Sequence, residues 1–223
     1  TAYNIIIYEA LDFTTGLFTP EGETISIGIG LPMFIRGMSE TVKAKIKHFG
    51  RKNIKPGDIY VTNDSYLTGS HLNHVTLTLP IFHKGSLVGF SCCMAHWLDI
   101  GGMLGGMSTD IFSEGLQIPI IKYQDRGKVN QDLIDIIRIN VRLPPRAIGD
   151  LRAQITAVKT GERRYLELLD RYGRAEVDAS IAEIMDRASL RSVENLAGAP
   201  ALLATLPAGA AAILVEYQGA GSD

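Results

Sequence analysis

Apolar positions along this chain fall into two regimes. Up to about residue 100 they cluster in short, partly β-branched runs separated by turn residues; beyond Gln117 they recur at helical spacing with charged residues between them. Residues 3–30 read as strands: YNIIIYEALDF leads into TTGLF, the turn TPEGE, and then TISIGIG. A helix is predicted over 36–49 (RGMSETVKAKIKHF), with Gly50 placed to end it. Pro56-Gly57-Asp58 marks a turn, and IYVT is a short strand running into Asn63-Asp64. VTLTLPIF and SLVGFSCCMA read as the two strands of a hairpin across His83-Lys84-Gly85-Ser86. The segment 101–113, GGMLGGMSTDIFS, is glycine-rich without a clear period and reads as a loop.

Further on, NQDLIDIIRINV, RAIGDLRAQITAVKTGERRYLELLDRYG and AEVDASIAEIMDRASLRSVENL read as amphipathic helices, the first two separated by Pro144-Pro145. Strands first and helices later is the order of an α+β fold. The expected layout is a strand-rich region over 1–125 with a central β-hairpin and a helical region of the same domain over 126–196. An alanine-rich linker and the start of a further region follow over 197–223. The chain ends straight after a strand-like AAILVEYQ and reads as the opening part of something longer.

The hairpin matters because of what stands at its open end. Between Asn63 and Gly102 lie four of the five histidines. His71 and His74 form an H-x-x-H unit before the first strand, and His96 and Asp99 an H-x-x-D unit after the second. With Lys84-Gly85 as the turn, counting outward pairs His83 with Ser86, Asn73 with His96, and Ser70 with Asp99. Neighbouring strands lie roughly 4.8 Å apart, so the two units meet at one sheet end. Residues at i and i+3 of a strand face opposite sides, so each unit can serve one point only if the chain turns there. Gly69, Gly101 and Gly102 supply that opportunity.

Imidazoles and a carboxylate converging on one point are a metal-site composition, and a mixed nitrogen and oxygen set suits Zn²⁺, Mn²⁺ or Fe²⁺. The alternative is structural: histidines at strand ends bonded to nearby backbone. Asp12 and Asp64 stand beside strand ends and are either turn and cap residues, further ligands, or carboxylates that orient an imidazole. Cys92 and Cys93 are adjacent; on a strand they face opposite sides, and neither has the helix N-terminus that activates a thiol. GGMLGGM lacks the lysine and Ser/Thr of a phosphate-binding loop, so ATP, if used, is bound elsewhere. Arg163-Arg164 reads as a solvated helix face.

Composition narrows the classes. The chain has 223 residues, 46% apolar and 21% charged, with net charge −2 and a pI of about 6.2. Nothing there implies a basic face for nucleic acid. No apolar run approaches the roughly 20 residues of a membrane span, and no signal-peptide pattern opens the chain. Two adjacent cysteines without another partner fit a reducing, cytoplasmic setting.

Several motifs carry a resemblance. NDSYLTGSHLNH, AHWLDIGGM, DIFSEGLQIP, NVRLPPRAIGDLRAQ and GERRYLELLDRYG, in order between about Asp12 and Asp186, resemble the hydantoinase B family. That family includes B-type subunits of N-methylhydantoinase, with relatives in 5-oxoprolinase, caprolactamase and the acetone and acetophenone carboxylases. The resemblance implies a hetero-oligomer in which an A-type subunit binds ATP and phosphorylates a small-molecule substrate. The B-type subunit would carry the metal where that substrate is processed. The family's ligand motifs, G-[ST]-H-x-x-D and A-H, fall on His71, His74 and His96, and the residue matching Asp12 is a further ligand in some members. Asp99 and Asp64 are left as candidates to orient a water or act as base.

Two departures stand out: His74 occupies a position often held by aspartate, and Ser65 one usually held by proline. The family's B-type subunits are also considerably longer. The implied activity is ATP-dependent opening of a cyclic amide such as a hydantoin, oxoproline or lactam. The rivals are ATP-dependent carboxylation of a ketone, and a non-catalytic scaffold whose metal only holds the fold.

Overall fold

Two long strands, β4 (His74–His83) and β5 (Ser86–His96), form the centre of the structure, a computed structural model that describes residues 2–28, 34–103, 108–174, 177, 181–185 and 212–216. Lys84 and Gly85 join them at φ of 50° and 82°, the left-handed pair whose twist suits a two-residue hairpin. Around this hairpin stand β1 (Phe13–Phe18), β2 (Thr24–Ile27), β3 (Ile59–Thr62), β6 (Ile121–Asp125) and β7 (Lys128–Val129). The seven strands follow the order β2-β1-β5-β4-β3-β6-β7, every pair antiparallel. The α+β fold class expected from the sequence is what the structure shows.

Helices cover both faces, which is why the central strands are buried along almost their whole length rather than in alternation. Helix α2 (Ile35–Phe49) lays Met38 and Val42 with Phe34 against Phe18, Tyr60, Phe90, Cys92 and Met94. Gly50 ends it at φ 74°, where the sequence placed the stop. On the other face lie α5 (Gln131–Asn140) and the long α6 (Pro144–Tyr172), which opens on Pro144 and Pro145, where a missing N–H costs nothing. Gln154 of α6 accepts from Trp97 Nε1 at 2.8 Å and donates to the Val75 carbonyl at 2.8 Å, tying the helix to β4 and to the residue that follows β5. No described helix is long and apolar enough to cross a membrane.

Four expectations are corrected. The β-branched run at the start is one turn of helix, α1 (Ile5–Tyr8), not a strand. Asn4 caps it and donates to the His96 carbonyl, while Asp150 accepts from the Tyr3 and Asn4 N–H groups. These contacts over long sequence distance fix the chain and override local strand propensity.

The hairpin register differs by one residue: His74, not Asn73, pairs with His96. The cause is a β-bulge: Ile81 pairs with Gly89 and Phe82 with Leu87, leaving Val88 as an extra residue. Ser70 and Asp99 lie beyond the paired residues.

Within the glycine-rich loop, Ile111–Glu114 forms a short helix, α4, capped by Asp110. Within the last expected helix, Ile181–Met185 is a strand, β8, paired antiparallel with β9 (Ala212–Glu216), Ile184 opposite Ile213. Pairing with a β-branched segment far along the chain outweighs the helical spacing. Apart from Val177, the rest of that segment and the alanine-rich stretch up to residue 211 lie outside the described residues.

Candidate functional site

The bulge at Val88 places His74, the first residue of β4, directly opposite His96, the last of β5. His71 joins them because the chain turns: the His74 N–H donates to the His71 carbonyl at 3.1 Å, so the H-x-x-H unit is a turn rather than a strand. The three ring centroids lie 4.6, 4.8 and 5.1 Å apart. Asp12 arrives from the residue before β1, where its carbonyl accepts the His96 N–H at 3.1 Å. Its carboxylate lies 3.0 Å from His74 Nε2. On the other side of that ring, His74 Nδ1 lies 2.8 Å from Ser70 Oγ. An acceptor at Nε2 puts the ring proton there, so the Ser70 hydroxyl donates to Nδ1.

Burial sets the charge state. His74 is 2% exposed, and burial lowers its pKa against the pull of Asp12. Burial, helped by His74 and His71, pushes His96 down to about 4. Both imidazoles are therefore neutral at pH 7 and keep a lone pair. His96 Nδ1 is buried without a hydrogen-bond partner among the described residues. An orphaned imidazole nitrogen among other donors is the kind of atom a cation satisfies. Among the described residues no group of three or more His, Cys, Asp or Glu side chains is placed to hold an ion, and His74 and Asp12 are bonded to each other. By residue type the set matches the donors a divalent metal takes, but the side chains as placed do not form a ready-made ion site.

A cleft of about 410 Å³ opens beside His71 and His96, with Ile6, Leu98, Ile100 and Met103 as apolar lining and Asn73 and Glu114 as polar lining. Asp99 also lines it, but its carboxylate is occupied. It accepts from the Gly101 N–H at 2.9 Å, from Arg142 Nη1 at 2.8 Å and from the Arg142 backbone N–H. This clamp holds the turn 99–102 against the end of α5. Asp64 caps the short helix α3 (Ser65–Thr68) by accepting from the Tyr66 N–H at 3.0 Å. The structure thus brings His71, His74, His96 and Asp12 together and leaves the Asp64 and Asp99 carboxylates in cap and clamp contacts. Cys92 and Cys93 are both free and buried, on opposite faces of the sheet.

Three residues at the site were not anticipated. Ser70 and Asn73 flank the histidines inside GSHLNH, where their polarity was the available signal. Glu114 comes from α4; its Oε1 lies 3.9 Å from His71 Nδ1 and accepts the Leu72 N–H at 3.3 Å.

Comparison with known proteins adds a family signal over nearly the whole chain. The model of the family described as hydantoinase B/oxoprolinase matches residues 1–216. Caprolactamase subunit beta of Pseudomonas jessenii is 35% identical over 205 residues, 87% of this chain and 35% of that protein. 5-oxoprolinase 1 of Arabidopsis thaliana is 31% identical over 217 residues, 87% of this chain and 17% of that protein. The crystal structure of the ATP-dependent caprolactamase from Pseudomonas jessenii superposes with a TM-score of 0.70 at 35% identity, covering 75% of this chain and 30% of that one. A nucleotide-free acetone carboxylase structure shares the fold, with a TM-score of 0.73 at 20% identity over 78% of this chain and 24% of that one. The chain spans about a third of the length of the first curated relatives it matches.

Proposed function

The chain belongs to the hydantoinase B/oxoprolinase family, and from that premise we propose that it is part of a B-type subunit that opens a cyclic amide, a hydantoin, oxoproline or lactam, after an ATP-binding A-type subunit has phosphorylated it. The observation that carries the reading is the gathering of His71, His74, His96 and Asp12 at the edge of a cleft. A divalent metal held by these four, zinc, manganese or iron, would supply Lewis acidity and a more acidic bound water.

The chain's own residues account for the remaining requirements. Burial keeps His74 and His96 uncharged; the unpartnered Nδ1 of His96 is open to a cation, whereas His74 would have to give up its bond to Asp12 or Ser70 to bind one. Asp12 would offset part of the charge of a bound cation. The cleft volume of about 410 Å³ is in the range that encloses a small molecule. Leu98, Ile100 and Met103 offer apolar surface to ring carbons, and the Glu114 carboxylate can accept an amide N–H. The Asp99–Arg142 clamp keeps the loop that carries this wall in place. The amide reading ranks above ketone carboxylation because the caprolactamase subunit is 35% identical and acetone carboxylase 20%.

The test is to produce the full-length protein with its A-type partner and screen hydantoins, lactams and ketones for ATP hydrolysis, with and without bicarbonate. ATP-dependent loss of a cyclic amide without a bicarbonate requirement is expected. Bicarbonate-dependent consumption of a ketone would replace the reading with the carboxylase. His71→Ala is expected to lose turnover and metal while staying folded. Full activity and full metal content in that variant would remove the site. Turnover that survives complete removal of the metal would make the ion structural.

A further inference from the structure

His71 is the most exposed of the three imidazoles, and which of its nitrogens is bare decides what it can bind. Its Nδ1 lies 3.1 Å from Asn73 Oδ1. An asparagine amide has one accepting and one donating end, and the surroundings determine which end faces the ring. The Asn73 Nδ2 group donates to the Trp97 carbonyl at 2.8 Å. A carbonyl only accepts, so the NH₂ end is committed to that side and the oxygen must face His71. That oxygen also only accepts, so His71 Nδ1 must carry the proton.

Two further contacts support the assignment. Glu114 Oε1 stands 3.9 Å from the same nitrogen, a second acceptor on the same side. Asn73 cannot simply turn away, because its own carbonyl receives the Trp97 N–H at 2.8 Å and the Val75 N–H at 3.1 Å.

We propose that Asn73 is a positioning residue that holds His71 as the Nδ1–H tautomer, leaving the Nε2 lone pair free to bind a divalent cation. The binding half of this statement rests on the metal reading above; the tautomer rests on hydrogen-bond chemistry alone. A residue that orients a metal-binding imidazole in this way typically changes metal affinity 10–100-fold, roughly, when it is removed.

The test is nitrogen-edited NMR of the imidazole resonances in the metal-free protein, followed by zinc titration, for the wild type, Asn73→Asp and Asn73→Ala. The wild type is expected to show His71 protonated at Nδ1 and bare at Nε2. Asn73→Asp keeps an acceptor towards Nδ1 and is expected to keep both the tautomer and zinc affinity within about threefold. Asn73→Ala is expected to lose the fixed tautomer and to bind zinc about 10–100-fold more weakly. Both variants lose the bond to the Trp97 carbonyl, and Asn73→Asp sets a carboxylate against that carbonyl, so a purely structural role would weaken Asn73→Asp at least as much as Asn73→Ala. Equal losses in both variants, an unchanged His71 pattern in Asn73→Ala, or a wild type protonated at Nε2 would each overturn the proposal. A wild type that shows the Nδ1–H tautomer but takes up no zinc would leave the tautomer standing and remove the metal reading.

Discussion

His74 and His96 face each other across the open end of one hairpin, their ring centroids 5.1 Å apart. They do so because of a residue far from either. Were Val88 paired in a regular ladder instead of bulged out, the two-residue turn would place Asn73 opposite His96. Strand side chains alternate between faces, so a one-residue slip would also reverse the face on which every later β5 side chain sits. The bulge therefore aligns the site and sorts the core at once.

Gly89, next to the bulge, is expected to be intolerant of any side chain. A Cβ there would stand 2.6 Å from the Phe18 carbonyl oxygen, a backbone atom of β1 that cannot swing aside. Gly89→Ala should cost about 1–3 kcal/mol, the usual range for overpacking a filled interior. Urea unfolding measures it, and an unchanged midpoint would show that β1 and β5 are less closely packed than described.

Much of this was legible beforehand because it is local. The period of VTLTLPIF and SLVGFSCCMA, the Lys84-Gly85 turn and the stop at Gly50 are read from a few residues at a time. What escaped depends on distant contacts. The bulge is accommodated where Gly89 packs on Phe18; an isolated glycine in a strand is a local sign of a bulge or a close backbone approach, but it does not say which residue is left unpaired. The first helical turn is fixed by Asn4 and Asp150, which are 146 positions apart. The candidate ligands His71, His74, His96 and Asp12 could be nominated from motif and resemblance. The engagement of Asp99 by Arg142 could not, since it needs α5 to end beside the 99–102 turn. Glu114 stood inside DIFSEG, but its approach to His71 depends on how the loop returns.

Arg142→Met separates the clamp from the imidazoles. The substitution removes the Arg142–Asp99 contact at 2.8 Å while keeping the side-chain stem. Arg142 is 45% exposed, which places the expected loss at about 1–2 kcal/mol, below that for a fully buried pair. Metal content should be unchanged, and KM should rise as the 98–103 wall of the cleft loosens. Loss of metal in Arg142→Met would give Asp99 a place nearer the ion.

Lys45 offers a pH signature. It lies fully buried under the sheet, with Nζ donating to Thr78 Oγ1 at 2.8 Å and to the Thr76 carbonyl at 3.2 Å. Burial lowers its pKa from 10.5 to about 8, opposed by Cys92. Between roughly pH 8 and 10.5 the unfolded chain holds a proton that the folded chain has released, so this group makes stability rise with pH across that window. Below pH 8 both states are protonated and the burial cost is fully present. The thiols of Cys92 and Cys93, raised by burial, act in the opposite sense and remain in Lys45→Met. The stability of the wild type minus that of Lys45→Met should therefore climb across the window, by about 3 kcal/mol at most. A flat difference in denaturation midpoints would mean that the amine is solvated.

His74→Asp tests the most unusual residue of the proposed ligand set. The imidazole now donates from Nε2 to Asp12 and accepts from Ser70, and it is 2% exposed. An aspartate there would put two carboxylates side by side in a buried place, which costs stability unless a cation joins them. The metal-free variant should melt below the wild type, and added metal should raise its Tm by more, since binding to the folded state alone adds stability that grows with the logarithm of affinity. Exchanging nitrogen for oxygen should also shift preference from Zn²⁺ towards the harder Mn²⁺. Competition between the two ions, read by calorimetry on both proteins, measures that shift. An unchanged preference ratio would show that His74 does not touch the ion and that its bond to Asp12 serves only the fold.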